Sequence, residues 1–178
     1  MVDRRDFFKL SAKIATVCSV PFSLQAEETL GREQFLWVIR RDTGEEIKTT
    51  SINDRSLEKF CNLARDLHVG VSTEMDPNLM IALSTVQSNL FGMGIIKPLM
   101  IVSGYRTPRT NARTEGAAKN SFHMKGKAVD FYVEGLEMSM DFVGTLATQF
   151  QAGGVGFYPG RSFTHLDTGN FRTWGRAL

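Results

Sequence analysis

The apolar positions of the chain change period several times along its length. Phe35-Leu36-Trp37-Val38-Ile39 is a run of strand-favouring residues, Asp42-Thr43-Gly44 supplies turn chemistry, and Glu46-Ile47-Lys48-Thr49-Thr50 alternates. Together they predict a β-hairpin. From Asp54-Arg55-Ser56 the spacing becomes helical, with Leu57, Phe60, Cys61, Leu63, Ala64 and Leu67 in register and Gly70 as the stop. A second helix starts at Asp76-Pro77 and passes through Leu79, Ile81, Ala82, Val86 and Leu90 to Gly92. The run from Pro98 to Gly104 is short and apolar and ends in a turn, which predicts a strand. Residues 107–122 carry Pro108, Asn111, Gly116, Asn120 and several basic side chains, so they read as a long loop, a length often tied to function. Lys127 to Glu134 alternates as a strand, and Ser139 to Gln151 is an amphipathic helix. Gly153–Tyr158 and Ser162–Asp167 are two last strands joined through Pro159-Gly160. This order predicts an α+β domain with a small antiparallel sheet and flanking helices.

Composition changes this picture only at the N-terminus. Hydrophobic content of 42% and charged content of 22% are those of an ordinary globular chain. No window reaches the roughly 18 uninterrupted apolar residues of a membrane span. Arg4-Arg5-Asp6-Phe7-Phe8-Lys9 precedes a moderately apolar run from Leu10 to Leu24, and Ala26 stands at a plausible cleavage point. A basic start, an apolar middle and a small residue before the break read as an export signal, and the arginine pair resembles a twin-arginine leader. The expected division is therefore a signal over residues 1–26 and one domain over residues 27–178. Its expected destination is the periplasm, through the twin-arginine translocation machinery. Removing residues 1–26 takes away Arg4, Arg5, Lys9 and Lys13 against Asp3 and Asp6, which brings the formal charge from +2 to zero. A neutral mature domain offers no electrostatic case for nucleic acid, and no stable membrane span is expected after processing. Cys18 falls in the signal, so Cys61 has no internal partner. On a helix beside Phe60 and Leu63, it reads as a buried inert thiol rather than a nucleophile.

The chain has three histidines. His123 ends the long loop just before the strand that carries Asp130, and His165 lies inside the last predicted strand. Two histidines and a carboxylate delivered by adjacent strands suit a catalytic zinc site, with three protein ligands and a fourth position for water. Zinc lowers the pKa of such water and polarises a carbonyl. His68, between Leu67 and Val69, reads as a structural residue on the first helix.

The local strings are more specific. Ser121-Phe122-His123-Met124-Lys125-Gly126-Lys127-Ala128-Val129-Asp130 resembles the Ser-x-His-x-x-Gly-x-Ala-x-Asp motif of the M15 peptidase group, and Ser103-Gly104-Tyr105-Arg106 resembles its Ser-Gly-[Tyr/Phe]-Arg segment. Gly153-Gly154-Val155-Gly156-Phe157-Tyr158-Pro159, with Phe163-Thr164-His165-Leu166-Asp167-Thr168-Gly169, is similar to the MepK/YcbK-like (DUF882) murein endopeptidase branch. Arg172-Thr173-Trp174 fits that branch too. The resemblance spans nearly the whole mature chain. It implies an M15, hedgehog-like peptidase fold with the zinc site between adjacent strands. It also implies Zn2+ held by His123, Asp130 and His165, and hydrolysis of amide bonds in peptidoglycan cross-links by metal-activated water.

The resemblance further implies that Arg106 faces the substrate, as an oxyanion donor or a carboxylate clamp. The bland alternative is a pair with a loop carboxylate such as Glu115. Ser121 orients His123 or the substrate, or is an ordinary loop hydroxyl. The M15 pattern also places a general base just ahead of the last ligand, where this chain has Ser162 and Phe163. Asp167, two residues beyond His165 on the same strand face, is the nearest candidate for that role, and its alternative is to brace a turn. Two further function classes stand beside the endopeptidase: a non-catalytic peptidoglycan-binding module on the same fold, and a D-Ala-D-Ala-type carboxypeptidase.

Overall fold

The computed structural model describes residues 34–136, 140–149 and 153–175. The leader expected over residues 1–26, with Cys18, lies outside them. The elements run β1 (Leu36–Arg40), β2 (Glu46–Thr49), α1 (Asp54–Leu63), α2 (Pro77–Gly92), β3 (Leu99–Ser103), α3 (Pro108–Arg113), β4 (Ala128–Val133), α4 (Met140–Gln149), β5 (Gly154–Tyr158), β6 (Phe163–Asp167) and β7 (Arg172–Trp174). Single 3-10 turns occupy Phe122–Lys125 and Pro159–Arg161.

The strands among the described residues join one sheet of seven, in the order β2-β1-β3-β4-β6-β5-β7. The expected α+β class holds, but the sheet is larger than expected and mixed rather than antiparallel. β1 pairs parallel with β3, and β5 parallel with β7. The first parallel pair follows from α1 and α2, which intervene between β2 and β3 and bring the chain back alongside β1. The second follows from β7, three residues that the polar-aromatic string Arg172-Thr173-Trp174 did not mark as a strand.

One face of the sheet is the core. Val129, Phe131, Val133, Val155, Phe157 and Leu166 are buried with Leu79, Leu83, Val86 and Leu90 of α2 and Val143, Leu146 and Ala147 of α4. α2 is apolar nearly all round because it lies inside the molecule. Its one large buried polar side chain, Gln87, is fully bonded. It accepts from the Trp37 backbone N–H at 2.6 Å and donates to the carbonyls of Trp37 and Lys97. Asp76 caps α2 ahead of Pro77, as the sequence predicts.

α1 is shorter than its apolar spacing suggests. It stops at Leu63, and the carbonyl of Ala64 turns away to accept Tyr105 N–H at 2.7 Å. Asp66 is then free of the helix and accepts from both the N–H and the hydroxyl of Thr107, at 2.9 Å each. These tertiary bonds win over helical propensity. They leave His68 in an exposed turn, not on a helix. Cys61 is half-buried rather than buried, and its sulfur accepts Met75 N–H at 3.3 Å.

Candidate metal centre

The expected long loop over residues 107–122 is partly ordered into α3, and the 3-10 turn that follows carries His123. The spacing Ser121-x-His123-x-x-Gly126 is a capped turn. The Ser121 hydroxyl accepts His123 N–H at 3.3 Å at the start, and Gly126 ends the turn in the left-handed region with φ of 67°. A β-carbon at Gly126 would also run into the carbonyl of Glu74. Ser121 thus fixes the backbone of His123 while lining the same cleft.

His165 and Asp130 sit directly opposite each other on β6 and β4. Opposed residues share a sheet face, so register alone brings the two side chains together. His123 completes the group. A donor atom of each lies within 4.8 Å of the others, and all three residues are buried. The His123 Nε2 and His165 Nδ1 atoms are 3.1 Å apart, and Asp130 Oδ1 is 3.2 Å from the first and 2.8 Å from the second.

The outer ring nitrogens are occupied. His123 Nδ1 lies 2.6 Å from the carbonyl of Gly104, and His165 Nε2 lies 3.1 Å from Asp167 Oδ2. With a proton on each outer nitrogen, both inner nitrogens present lone pairs to one point beside a carboxylate. Two imidazoles and a carboxylate, each backed by a second hydrogen bond, match the donor set of zinc. Position 104 is a glycine because a β-carbon there would collide with Ala64.

Burial outweighs the charge of Asp130 at His123 and holds its pKa below that of free imidazole. At His165 burial acts the same way, but hydrogen bonds to Asp130 and Asp167 outweigh it and lift its pKa. Burial penalises the Asp130 carboxylate as well, yet His123 and His165 hold that carboxyl far below the usual range. Arg106 lies 3.5 Å from the second Asp130 oxygen. It is half-buried at the wall of the cleft and does not pair with Glu115, which lies 3.8 Å from Arg161 at the rim.

Asp167 is fully buried and crowded with donors. Oδ1 accepts from the N–H groups of Gly154 and Gly169 and from Arg172, and Oδ2 accepts from Arg172 at 2.7 Å and from His165. Burial raises its pKa, but His165, Arg172 and Gly169 together hold it well below the ordinary carboxylate range. A carboxylate so occupied is a poor proton acceptor for water. It is well placed to fix the ring of His165.

Sequence reasoning missed the part played by β7. Trp174 is registered with Gly156, and Arg172 with Gly154, on the strand next to β6. Both long side chains cross over those glycines. Arg172 reaches Asp167, and the Trp174 indole sits 5.2 Å from the His165 ring. A β-carbon at Gly154 would overlap Asp167 and Arg172, and one at Gly156 would overlap the indole. The two glycines of Gly154-Val155-Gly156 are therefore the space through which β7 braces the last histidine. They were the available signal, since glycines inside a strand mark close approach. Gly156→Val is expected to cost about 1–3 kcal/mol through overpacking. It should lower the thermal midpoint and change tryptophan emission; an unchanged midpoint would contradict this packing.

The cleft has a volume of about 590 Å³ and is lined by the three clustered residues together with Arg106, Ser121, Tyr158, Phe163 and Trp174. The family model described as peptidoglycan L,D-endopeptidase MepK, of the Peptidase M15_2 type, matches residues 31–174. This chain belongs to that family. It is 34% identical over 181 residues to the peptidoglycan L,D-endopeptidase MepK of Escherichia coli strain K12, with 97% of each chain covered. It is 32% identical over 181 residues to the probable peptidoglycan L,D-endopeptidase MepK of Haemophilus influenzae, covering 97% of this chain and 95% of that one. The family match includes every residue of the cluster, of the β7 brace and of the cleft wall.

Proposed function

We propose that this chain is a zinc-dependent murein endopeptidase, cleaving amide bonds in peptidoglycan cross-links with a water activated on the metal. The observation that carries this is the buried convergence of His123 Nε2, His165 Nδ1 and Asp130 Oδ1 at the floor of an open cleft. Family membership supports the peptidase reading, and the relatives' names support an L,D-type peptide bond. A zinc held by these three residues supplies a nucleophile at neutral pH and a Lewis acid for the carbonyl.

The chain's own residues complete the site. Gly104 and Asp167 hold the two imidazoles in the tautomers that aim inward. Arg106 balances the charge of Asp130 and faces the substrate. Ser121 keeps His123 in place. Asp167 is assigned to positioning rather than to proton transfer, because its oxygens are already filled. The test is digestion of purified cross-linked muropeptides by the zinc-loaded chain, followed by mass spectrometry. The expected result is conversion of dimers to monomers with gain of one water, blocked by chelator and restored by zinc. Binding without cleavage would instead favour the peptidoglycan-binding module, and loss of only a terminal residue would favour the carboxypeptidase.

The periplasmic destination belongs to the same reading. Among the described residues no helix is long and apolar enough to cross a membrane. Arg4→Lys with Arg5→Lys is expected to leave precursor in the cytoplasm. Cell fractionation checks this, and unchanged periplasmic mature protein would contradict the twin-arginine route.

A further inference from the structure

We propose that Tyr158 is the hydrogen-bond donor that receives the scissile carbonyl oxygen as it becomes tetrahedral, with Trp174 and Phe163 holding it in place. This rests on the peptidase reading above. Tyr158 ends β5, and its ring stacks on Phe163 with centroids 4.8 Å apart and planes inclined by 27°. Its oxygen accepts the Trp174 indole N–H at 2.9 Å. An indole nitrogen donates only, whereas a phenol has one proton to give and lone pairs to receive. The Trp174 bond therefore occupies a lone pair and leaves the phenolic proton to point elsewhere. Among the described residues no acceptor takes it.

The position of that proton follows from the sheet. Gly156 is registered with His165, and Tyr158 with Phe163, so Tyr158 and His165 leave the same face of adjacent strands. Tyr158 lines the same cleft as His123, Asp130 and His165. Trp174 links the two directly, with one part of its indole against His165 and its N–H on Tyr158. Arg106, half-buried, contacts Asp130 at 3.5 Å, and Arg161 is turned to Glu115 at the rim. Tyr158 is a preorientated hydroxyl donor with its proton unspent, which is what stabilises charge developing on a carbonyl oxygen without reorganisation.

The assignment separates Tyr158 from a merely structural ring. Tyr158→Phe keeps the stack on Phe163 and removes only the hydroxyl. In the zinc-loaded chain it is expected to lower kcat by about 10²–10³-fold, the usual effect of losing one such donor. KM and zinc content should be unchanged. A phosphinate analogue of the peptide bond, which carries the tetrahedral oxygens, should bind about 10-fold or more weaker by calorimetry, because analogues of the transition state feel the same donor. Trp174→Phe keeps an aromatic ring beside His165 but removes the N–H, and should produce a smaller fall of the same kind. Equal kcat and equal phosphinate affinity in Tyr158→Phe would overturn the assignment alone, as would a fall in kcat explained by lost zinc. A parent chain that neither cleaves cross-links nor binds the phosphinate would overturn the peptidase reading, and this assignment with it.

Discussion

His123→Ala is expected to remove both the metal and the activity. The imidazole is almost wholly buried and, among the described residues, supplies one of three converging donor atoms. Alanine leaves Asp130 and His165 as two ligands, one fewer than a catalytic zinc site ordinarily has. Cleavage of cross-linked muropeptides should fall by more than about a thousandfold, a barrier rise above roughly 4 kcal/mol. The same substitution frees the carbonyl of Gly104, so some loss of fold stability accompanies it. Thermal unfolding with and without zinc separates the two effects. The parent should gain stability on adding zinc, because a ligand that binds only the folded state raises the midpoint. His123→Ala should show no such gain. A variant that still responds to zinc and cleaves at the parent rate would place the centre elsewhere.

Asp167→Asn has the next largest expected effect, and it discriminates between two chemistries. If Asp167 took a proton from water, the amide variant would bind zinc normally and fail to turn over at any zinc concentration. The geometry predicts the other outcome. Asp167 Oδ2 holds His165 Nε2 at 3.1 Å and Arg172 at 2.7 Å, and an amide offers Arg172 no charge and has one acceptor oxygen where the carboxylate has two. Loss of a partner hydrogen-bonded to a ligating histidine typically lowers metal affinity by about 10–100-fold. Activity should therefore fall at limiting zinc and recover substantially at saturating zinc. A zinc titration of the rate is the measurement. Full zinc affinity with no recovery of turnover would return Asp167 to the role of base.

The three residues of the cluster were legible in the sequence because each stands in a recognisable local string. His123 lies in a capped turn whose Ser121 and Gly126 are visible as letters. Asp130 and His165 lie on strands whose alternation is readable. Even the same-face placement of Asp167 and His165 followed from strand period. The partners of those residues were not legible, because they depend on which strands become neighbours. β7 has three residues and no alternation to read, yet its register against β5 puts Arg172 on Asp167 and Trp174 on His165. In the reading proposed above, that pairing makes Asp167 a brace for His165 rather than a base. The early end of α1 has the same origin. Leu67 continues the helical spacing, but Asp66 gains two hydrogen bonds to Thr107 by leaving the helix. α3 was hidden inside the loop because six residues headed by Pro108 carry too little apolar period to stand out.

The most direct test of the central claim is X-ray absorption at the zinc edge on the purified chain, with metal content measured on the same sample. The account predicts about one zinc per chain, bound by two imidazole nitrogens and one carboxylate oxygen at about 2.0–2.2 Å with a further light-atom ligand from water. A chain that holds no zinc, or whose zinc shows a sulfur neighbour at about 2.3 Å and so involves Cys61, would contradict it.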